Sequence, residues 1–404
     1  MPAEWDEFRL GDVCSKVGSG ATPRGGKEAY VDEGIALIRS QNVYNHGFDH
    51  GGLARITDDQ AERLSNVEVE RGDVLLNITG ASVARCCQVP ADVLPARVNQ
   101  HVAIIRPMPD VLDARFLRYY LVSPPVQAHL LQLAGAGATR EAMTKAMIEG
   151  LSVPCPDIDR QRRIAAVLGA LDDRIDLNRR MNRTLEVTAQ ALFHERFVAP
   201  LAAGALPDGW RAGSPEDTVE FNPRVKIKRG APARYLGMSS VPTEGFEVGE
   251  LEDRDYTSGS KFQQGDTLLA RITPSLENGK TALVTFLEPG EAAFGSTEFI
   301  VMRGRAGVPP EFVYCLARDP DFRAFAISHM TGSSGRQRVP NDVFAHFEAA
   351  VPTADALDAF ARAVHPMFDR IAANHRQSAA LAETRDALLP ELVSGRLRVP
   401  AESV

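Results

Sequence analysis

A short phrase that occurs twice constrains the fold of this chain more than any other feature. The sequence RGDVLLNITG at 71–80 returns as QGDTLLARIT at 264–273, and further pairs follow in the same order. They are RFLRYYL at 115–121 with EFVYCLA at 311–317, LSVPCP at 151–156 with AAVPTA at 349–354, and LDDRIDLNRR at 171–180 with MFDRIAANHR at 367–376. Offsets of 193 to 198 residues are too long for a solenoid. The pattern predicts a duplicated chain with two domain-sized halves, and chance similarity of ordinary segments is the alternative explanation.

The composition is that of a globular protein without a membrane segment. A chain of 404 residues with 44% hydrophobic residues is long enough for two or three domains. It has neither an apolar run of about 20 residues nor a signal-peptide pattern, which predicts a cytoplasmic protein. A net charge of −8 disfavours a protein that simply coats nucleic acid, but it leaves room for local basic patches.

Each half is expected to place a mixed region of strands and turns before a long helix. A heptad pattern predicts the first helix through Ile164, Leu168, Leu171, Ile175, Asn178, Asn182, Leu185, Ala189 and Leu192. A less regular pattern predicts the second through Leu357, Val364, Phe368, Ile371, Ser378, Leu381, Leu388 and Leu392. We expect an α+β protein in which two pseudo-repeated mixed domains, 1–156 and 200–353, are separated by antiparallel coiled-coil helices at 157–199 and 354–404.

Motifs of catalysis are missing from the sequence. NGKT at 278–281 has Pro274 where a phosphate-binding loop needs its leading glycine, and GSGATP has Pro23 at the third glycine of a dinucleotide fingerprint. NPR at 222–224 lacks the second proline and the aromatic residue of an amino-methyltransferase loop. No lysine follows an acidic residue by two positions, and the five cysteines lack zinc-ligand spacing. The chain is therefore expected to have no catalytic and no metal site.

The first half resembles a known DNA-recognition domain. FRLGDVCSKVGSGATPRGG at 8–26, GIALIRSQNV at 34–43, RGDVLLNITGAS at 71–82 and RVNQHVAIIRP at 97–107 resemble a target recognition domain of type I restriction-modification DNA specificity subunits. The segment 153–180 is similar to the helical spacer of that family. The resemblance extends over essentially the whole chain, although in the second half YLGMSSVP replaces LIRSQNVY and no equivalent of GSGATP is evident.

The resemblance implies a function in phage defence for a chain that is not itself an enzyme. Each target recognition domain would read one part of a bipartite, asymmetric DNA sequence, while the helices space the domains and bind two methyltransferase subunits. Restriction-translocase subunits would join that core. S-adenosylmethionine, ATP and Mg²⁺ would be used by those partners, so that this chain binds no cofactor and no membrane.

Candidate DNA-binding residues are polar side chains in the loops between strands. Arginine suits guanine, and asparagine or glutamine suits adenine, because each forms two hydrogen bonds to one base edge. In the first domain the candidates are Ser19, Thr22, Arg24, Arg39, Ser40, Gln41, Asn42, Asn99, Gln100, His101, Thr139 and Arg140. In the second domain they are Ser239, Ser240, Arg271, Asn278, Lys280, Arg336, Gln337 and Arg338. The alternative for each residue is an ordinary turn position at a strand end.

Two other classes of protein compete with a recognition subunit. One is a self-contained DNA-modifying or DNA-cleaving enzyme whose catalytic motif is unrecognised. The other is a coiled-coil scaffold with no nucleic-acid role. The sequence leaves the DNA target and the number of unread base pairs undetermined.

Overall fold

The boundary between the two structural units falls inside the longest helices, not between the sequence halves. The computed structural model describes residues 5–135, 142–333 and 335–400. The first unit takes the chain up to Arg174 together with the chain from Ala380 onward, and the second spans Ile175–Ala379. Each unit therefore contains a segment of both long helices.

Short strands form two four-stranded and two two-stranded sheets in the first unit. The strands are β1 (Asp6–Arg9), β2 (Cys14–Ser19), β3 (Ile35–Ile38), β4 (Val43–Tyr44), β5 (Gly47–Phe48), β6 (Ala54–Ile56), β7 (Glu68–Val69), β8 (Val74–Asn77), β9 (Cys86–Gln88), β10 (Ala96–Val98), β11 (Val102–Pro107) and β12 (Ser152–Cys155). One four-stranded sheet has the order β2-β11-β8-β9, and the other has the order β6-β3-β10-β7. Strands β3 and β10 are parallel, whereas the other neighbours in both sheets are antiparallel.

The sheet β2-β11-β8-β9 is buried on both faces. Successive side chains of a strand point to opposite faces, so Leu76 and Ile105 join a core with the helices, while Leu75 and Ile104 join a core with the other sheet. Val74, Leu75 and Leu76 are consecutive apolar residues for this reason, since a strand covered on both sides has no solvent face. The helices of this unit are α1 (Asp58–Arg63), α2 (Ala114–Val122), α3 (Pro124–Gly135), α4 (Lys145–Glu149), the first part of α5 (Ile158–Phe193) and the part of α9 (Ala354–Val393) from residue 380 onward.

The second unit repeats the strand order of the first. Its strands are β13 (Arg211–Gly213), β14 (Val219–Phe221), β15 (Pro232–Leu236), β16 (Glu252–Asp255), β17 (Ser260–Gln263), β18 (Thr267–Ala270), β19 (Thr281–Leu283), β20 (Ala292–Gly295), β21 (Phe299–Gly304) and β22 (Ala349–Val351). The sheets have the orders β14-β21-β18-β19 and β16-β15-β20-β17, with β15 and β20 parallel. Strand by strand, these are the orders and directions of the two four-stranded sheets in the first unit.

The helices of the second unit also follow the order seen in the first. They are α6 (Ala199–Ala202), α7 (Pro310–Arg318), α8 (Pro320–Ser328) and the part of α9 (Ala354–Val393) up to residue 379, together with the end of α5. A π-helical turn at His194–Val198 joins α5 to α6. Helices α7 and α8 occupy the chain positions that α2 and α3 occupy in the first unit.

The repeated Gly-Asp phrase is a strand entry with a buried ion pair. Gly72 has a φ of +93°, a left-handed conformation that favours glycine. The Asp73 carboxylate is fully buried, accepts from the backbone N–H of Glu70 at 2.7 Å, and accepts from Nε and Nη2 of Arg106 at 2.7 and 2.9 Å. The aspartate thus ties the start of β8 to the end of β11.

The second copy of the phrase forms the same arrangement. Gly265 has a φ of +84°, and the buried Asp266 accepts from the backbone N–H of Gln263 at 2.8 Å. Nε and Nη2 of Arg303 donate to its carboxylate at 2.6 and 2.7 Å. Each copy thus contains a glycine in the left-handed conformation, a buried aspartate, a backbone N–H donor and an arginine. The phrase recurs because a buried carboxylate must have all its hydrogen-bond donors in place.

The long helices pack on each other within the second unit. Asn178 on α5 contacts Ser378 on α9, Asn182 contacts Asn374, and the rings of Phe193 and Phe360 lie 6.1 Å apart. Residue numbers rise along one helix as they fall along the other, so these segments are antiparallel. The buried Asn178 amide donates to Gln377 Oε1 at 3.0 Å and to Ser378 Oγ at 3.1 Å. A polar layer of this kind fixes helix register.

The second long helix ends earlier than the sequence suggested. It was expected to run to residue 404, but α9 ends at Val393, and residues up to 400 form a turn and an irregular segment. Gly395 takes a φ of +72°, the left-handed conformation that commonly terminates helices. Asn374 is buried in the polar layer although the heptad reading did not include it.

Candidate nucleic-acid interface

Polar loops meet at one edge of the first unit. Parallel β3 and β10 bring their carboxyl ends together, and antiparallel pairing brings the ends of β2 and β8 beside the start of β11. The backbone N–H of Asn99 donates to Ile38 O, and that of Ile78 donates to His101 O, both at 3.0 Å. We call the resulting set the first loop edge; it consists of 19–24, 39–42, 79–82 and 99–101.

A chain of side-chain hydrogen bonds runs along the first loop edge. The Thr22 hydroxyl donates to Oε1 of Gln100, whose Nε2 lies 3.0 Å from His101 Nε2. The other imidazole nitrogen of His101, Nδ1, lies 2.6 Å from Thr79 Oγ1. The structure thus brings together three predicted residues, and it adds Thr79, which the sequence reading missed. Thr22 and Gln100 are exposed and present a donor and acceptor surface.

The loop after β3 divides its polar residues between surface and interior. Arg39 Nη2 donates to the carbonyl of Gly52 at 2.6 Å, and the exposed Gln41 donates to the same carbonyl at 3.3 Å. Asn42 is fully buried, and its Oδ1 accepts from the backbone N–H of Arg39 at 3.1 Å. Its Nδ2 donates to the carbonyls of Asp49 and Gly51. The Asn42 amide is thus engaged inside the protein, and a base contact would require it to exchange these partners for DNA.

The other predicted residues of the first domain differ in exposure. Ser19 and Arg24 are exposed, whereas Ser40 is half-buried and its carbonyl accepts from Asn77 at 2.9 Å. Asn99 is buried, and its Oδ1 accepts from the backbone N–H of His101 at 3.1 Å. A base contact by Asn99 would likewise require it to leave this hydrogen bond. The remaining two candidates, Thr139 and Arg140, lie outside the described residues.

The second unit forms an equivalent edge from different side chains. Gly295 pairs with Leu236 as Val98 pairs with Ile38, and therefore Ser239 and Ser240 occupy the positions of Gln41 and Asn42. By the same register, Thr297 and Glu298 replace Gln100 and His101. We call this set the second loop edge; it consists of 238–240, 271–280, 296–298 and 336–338. The same backbone frame thus presents different chemistry in the two units.

Three predicted cations of the second loop edge are bound within the protein. Arg271 donates to Oδ1 of Asn341 at 3.0 Å, and Lys280 Nζ donates to the carbonyl of Met238 at 2.6 Å. Arg338 forms a bidentate pair with Glu298 at 2.7 to 3.0 Å. Hydrogen bonding from the Arg338 guanidinium lowers the pKa of Glu298, which keeps this pair charged. Each of these cations would have to exchange a protein partner for DNA.

The side chains of the remaining candidates on this edge form fewer contacts with the protein. Ser239, Asn278 and Arg336 are exposed, and Gln337 is half-buried with its carbonyl accepting from the backbone N–H of Thr273 at 3.0 Å. Within the described residues, no hydrogen bond or ion pair holds the side chain of Arg336.

Arg338 lies at the position that Ala142 occupies in the first unit. Arg338 forms a bridge with Ile272 where Ala142 forms the bridge with Thr79. The side chain at the position of Arg338 in the first unit is therefore a methyl group. The bidentate partner of Glu298 belongs to the second unit alone.

A run of cations escaped the sequence reading. The segment RVKIKR at 224–229, which we call the basic run, has four basic residues in six positions and follows β14. Its density of lysine and arginine is a signal for a nucleic-acid patch. The candidate cations predicted from the sequence lie near glycine-rich turns or strand ends, which leaves this run out.

The described residues offer little to other classes of site. Across 5–135, 142–333 and 335–400, no three His, Cys, Asp or Glu side chains form a group that could hold a metal ion. In the same part of the chain, no helix has the length and apolar character to cross a membrane.

Known proteins match this chain over its full length. Residues 2–187 match the family described as "Type I restriction modification DNA specificity domain". The chain is 24% identical to the type I restriction enzyme MjaIX specificity subunit of Methanocaldococcus jannaschii, over 99% of this chain and 95% of that protein. It is 22% identical to the HindI specificity subunit of Haemophilus influenzae, over 98% and 100% of the two chains. The crystal structure of a type I restriction-modification S subunit from M. genitalium aligns over 96% of each chain, with 16% identity and a TM-score of 0.56.

The sheets and their helices define an α+β fold. The alternative of a self-contained modifying enzyme finds no support among the relatives. Over nearly its whole length the chain is similar to specificity subunits of type I restriction-modification systems.

Proposed function

We propose that this chain is the non-catalytic subunit that selects the DNA sequence for a type I restriction-modification complex. Each unit acts as a target recognition domain and reads one part of a bipartite, asymmetric target through its loop edge. The chain itself carries out neither methylation nor cleavage. It works in the cytoplasm, where the proposed DNA substrate is found.

One observation carries this proposal: an identical strand order supports loop edges with unlike side chains. Gln41 and Gln100 on the first edge are replaced by Ser239 and Thr297 on the second. Duplication of a scaffold with divergence of its exposed loops is what recognition of two different half-sites requires. Glutamine reads adenine through two hydrogen bonds, whereas a serine or threonine hydroxyl forms fewer and less selective contacts.

The long helices are the proposed spacer. Residues 157–199 and the helix that starts at 354 would hold the two recognition domains at a constant separation, and so fix the number of unread base pairs. The buried amides of Asn178 and Asn374 support this role, because a misregistered pair would leave them without partners.

The partners follow from the same proposal. Two methyltransferase subunits would dock on the helices, and restriction-translocase subunits would join the complex. S-adenosylmethionine, ATP and Mg²⁺ belong to those subunits, so this chain is expected to bind double-stranded DNA and protein but no cofactor of its own.

Sequencing of methylated bases in the host tests the proposal. A host with this gene and its partner genes should carry one bipartite methylated motif with a constant gap, and deletion of this gene alone should abolish the motif. Methylation that persists without this gene would refute the role in recognition. Methylation or cutting of DNA by the purified chain alone, with S-adenosylmethionine and Mg²⁺, would refute the non-catalytic assignment.

A further inference from the structure

The basic run is a group of cations without protein partners in the described part of the second unit. Arg224, Lys226, Lys228 and Arg229 are all exposed, and in the described part of the chain no hydrogen bond or ion pair joins their side chains to another residue. This contrasts with the second loop edge, where Arg271, Lys280 and Arg338 are bound to protein groups.

The run is held at both ends by the sheets beside it. At its start, the backbone N–H of Asn222 donates to Val301 O at 2.6 Å, and the N–H of Val301 donates to Asn222 Oδ1 at 3.1 Å. After its end, the N–H of Gly230 donates to Tyr256 O at 2.8 Å. The run therefore starts beside β21 and leads along the unit to the entry of β15. It connects the same two strands that the loop with GSGATP connects in the first unit.

Three of the four cations of the run share one side of the segment. Exposed Arg224, Lys226 and Lys228 alternate with half-buried Val225 and Ile227, the pattern of an extended chain with one face on the protein. In an extended chain, alternate residues lie about 6.6 Å apart, which is close to twice the 3.4 Å rise per phosphate of a DNA strand. Such a segment offers a row of positive charges matched to a nucleic-acid backbone.

A sheet face next to the run lacks the helix that covers the equivalent face of the first unit. In the first unit, the paired Leu37 and Arg97 lie beneath α1, since Arg97 Nε donates to Ala61 O at 3.0 Å. The equivalent pair is Tyr235 and Phe294, and the connection from β16 to β17 is too short for a covering helix.

Aromatic rings and cations occupy this face. The Lys261 ammonium lies 4.6 Å from the centroid of the Tyr256 ring, and the Arg254 guanidinium lies 4.1 Å from that of Tyr235. Arg254 is also paired with Glu252, which leaves Lys261 to continue the positive charge of the run. Tyr256 supplies the carbonyl that anchors the run, so the two features form one surface.

We propose that the basic run binds the phosphate backbone of duplex DNA beside the half-site of the second unit. The inference rests on the proposed function and assigns a division within it: the loop edges select the sequence, while the run supplies a sequence-independent share of the affinity. Phosphate contacts position a protein on DNA without reading bases, and their strength depends on released counterions. In a chain with a net charge of −8, such attraction must come from a local patch.

Salt dependence of DNA binding tests the proposal. The triple variant Lys226→Ala, Lys228→Ala, Arg229→Ala is assembled with the partner methyltransferase subunits and compared with wild type on two duplexes, one of mixed sequence and one with the methylated motif. The slope of log affinity against log salt is negative and should become shallower by about 2 to 3. The affinity near 0.1 M salt should drop by about tenfold or more on both duplexes. The methylated motif should stay unchanged.

A variant that keeps the positive charges distinguishes the effect of lost charge from an effect on folding. Lys226→Arg, Lys228→Arg, Arg229→Lys keeps the charge and should retain the affinity and the salt slope of wild type. The proposal is overturned if the alanine variant keeps the wild-type slope, if the charge-conserving variant loses binding equally, or if the alanine variant changes the motif. It is also overturned if the alanine variant fails to assemble with the methyltransferase, because the run would then contact protein. Failure of the wild-type complex to select any motif would instead refute the proposed function.

Discussion

Removing the buried carboxylate of the second Gly-Asp phrase should destabilise the second unit. In Asp266→Asn, a neutral amide replaces an acceptor that holds two guanidinium N–H groups and one backbone N–H. The amide has one acceptor oxygen, and its NH₂ group would face the donors of Arg303. The Asp266 side chain is 0% exposed and that of Arg303 is 23% exposed. The Arg303 guanidinium would therefore lose its carboxylate partner in a largely buried environment.

The magnitude follows from the burial of the pair. Breaking a buried ion pair costs about 3–5 kcal/mol, and the partial exposure of Arg303 favours the lower end, about 3 kcal/mol. For a unit of about 200 residues, this corresponds to a fall in Tm of roughly 6–12 °C. Differential scanning calorimetry of the full chain measures the change as a shift of one transition, while the transition of the first unit stays in place.

Two further variants decide whether the cause is the unpaired charge. Asp217→Asn removes an exposed partner of Arg211 in the same unit and should leave the Tm close to wild type. Asp266→Leu with Arg303→Met removes both charges and should recover much of the loss, because no orphaned charge remains. The reasoning fails if Asp266→Asn costs no more than Asp217→Asn, or if the double variant is less stable than Asp266→Asn alone.

Other predictions concern the helices and the first loop edge. Asn178→Leu should raise the Tm of the second unit while weakening register, which would appear in methylome sequencing as motifs with more than one gap length. Four residues inserted both after Asn182 and before Asn374 add about 6 Å, and they should lengthen the unread gap by about two base pairs while leaving both half-sites unchanged. Gln41→Ala should relax only the half-site of the first unit, and a change in the other half-site would contradict the division of reading between units. Burial disfavours the charged form of Asp172, but Arg118 and Arg385 outweigh burial and lower its pKa. Its stabilising contribution is present above the ordinary carboxyl pKa of about 4 and is lost as pH falls through the lowered value, so Asp172→Asn should flatten the acid limb of the stability curve.

Local pattern was sufficient to find the elements of the fold. The Gly-Asp entries, the continuously apolar strands and the heptad positions of α5 are visible in the sequence because burial on a strand or helix imposes a period on neighbouring residues. Order and spacing of the repeated segments pointed to two halves, and the motifs of the first half pointed to the family. The end of α9 was misjudged because a helix stops where a single residue, Gly395, takes a left-handed conformation.

Contacts between distant residues decided which polar side chains are available to a ligand. Asn42 and Gln41 are neighbours in the sequence, yet the first is buried against the carbonyls of Asp49 and Gly51 while the second is exposed. Arg338 is neutralised by Glu298, forty positions earlier in the chain, whereas the cations of the basic run have no such partner among the residues that the structure describes. A sequence shows which side chains are charged or polar. Only the tertiary structure determines which of them already have a partner, because the partner arrives through the pairing of strands that are far apart in the chain.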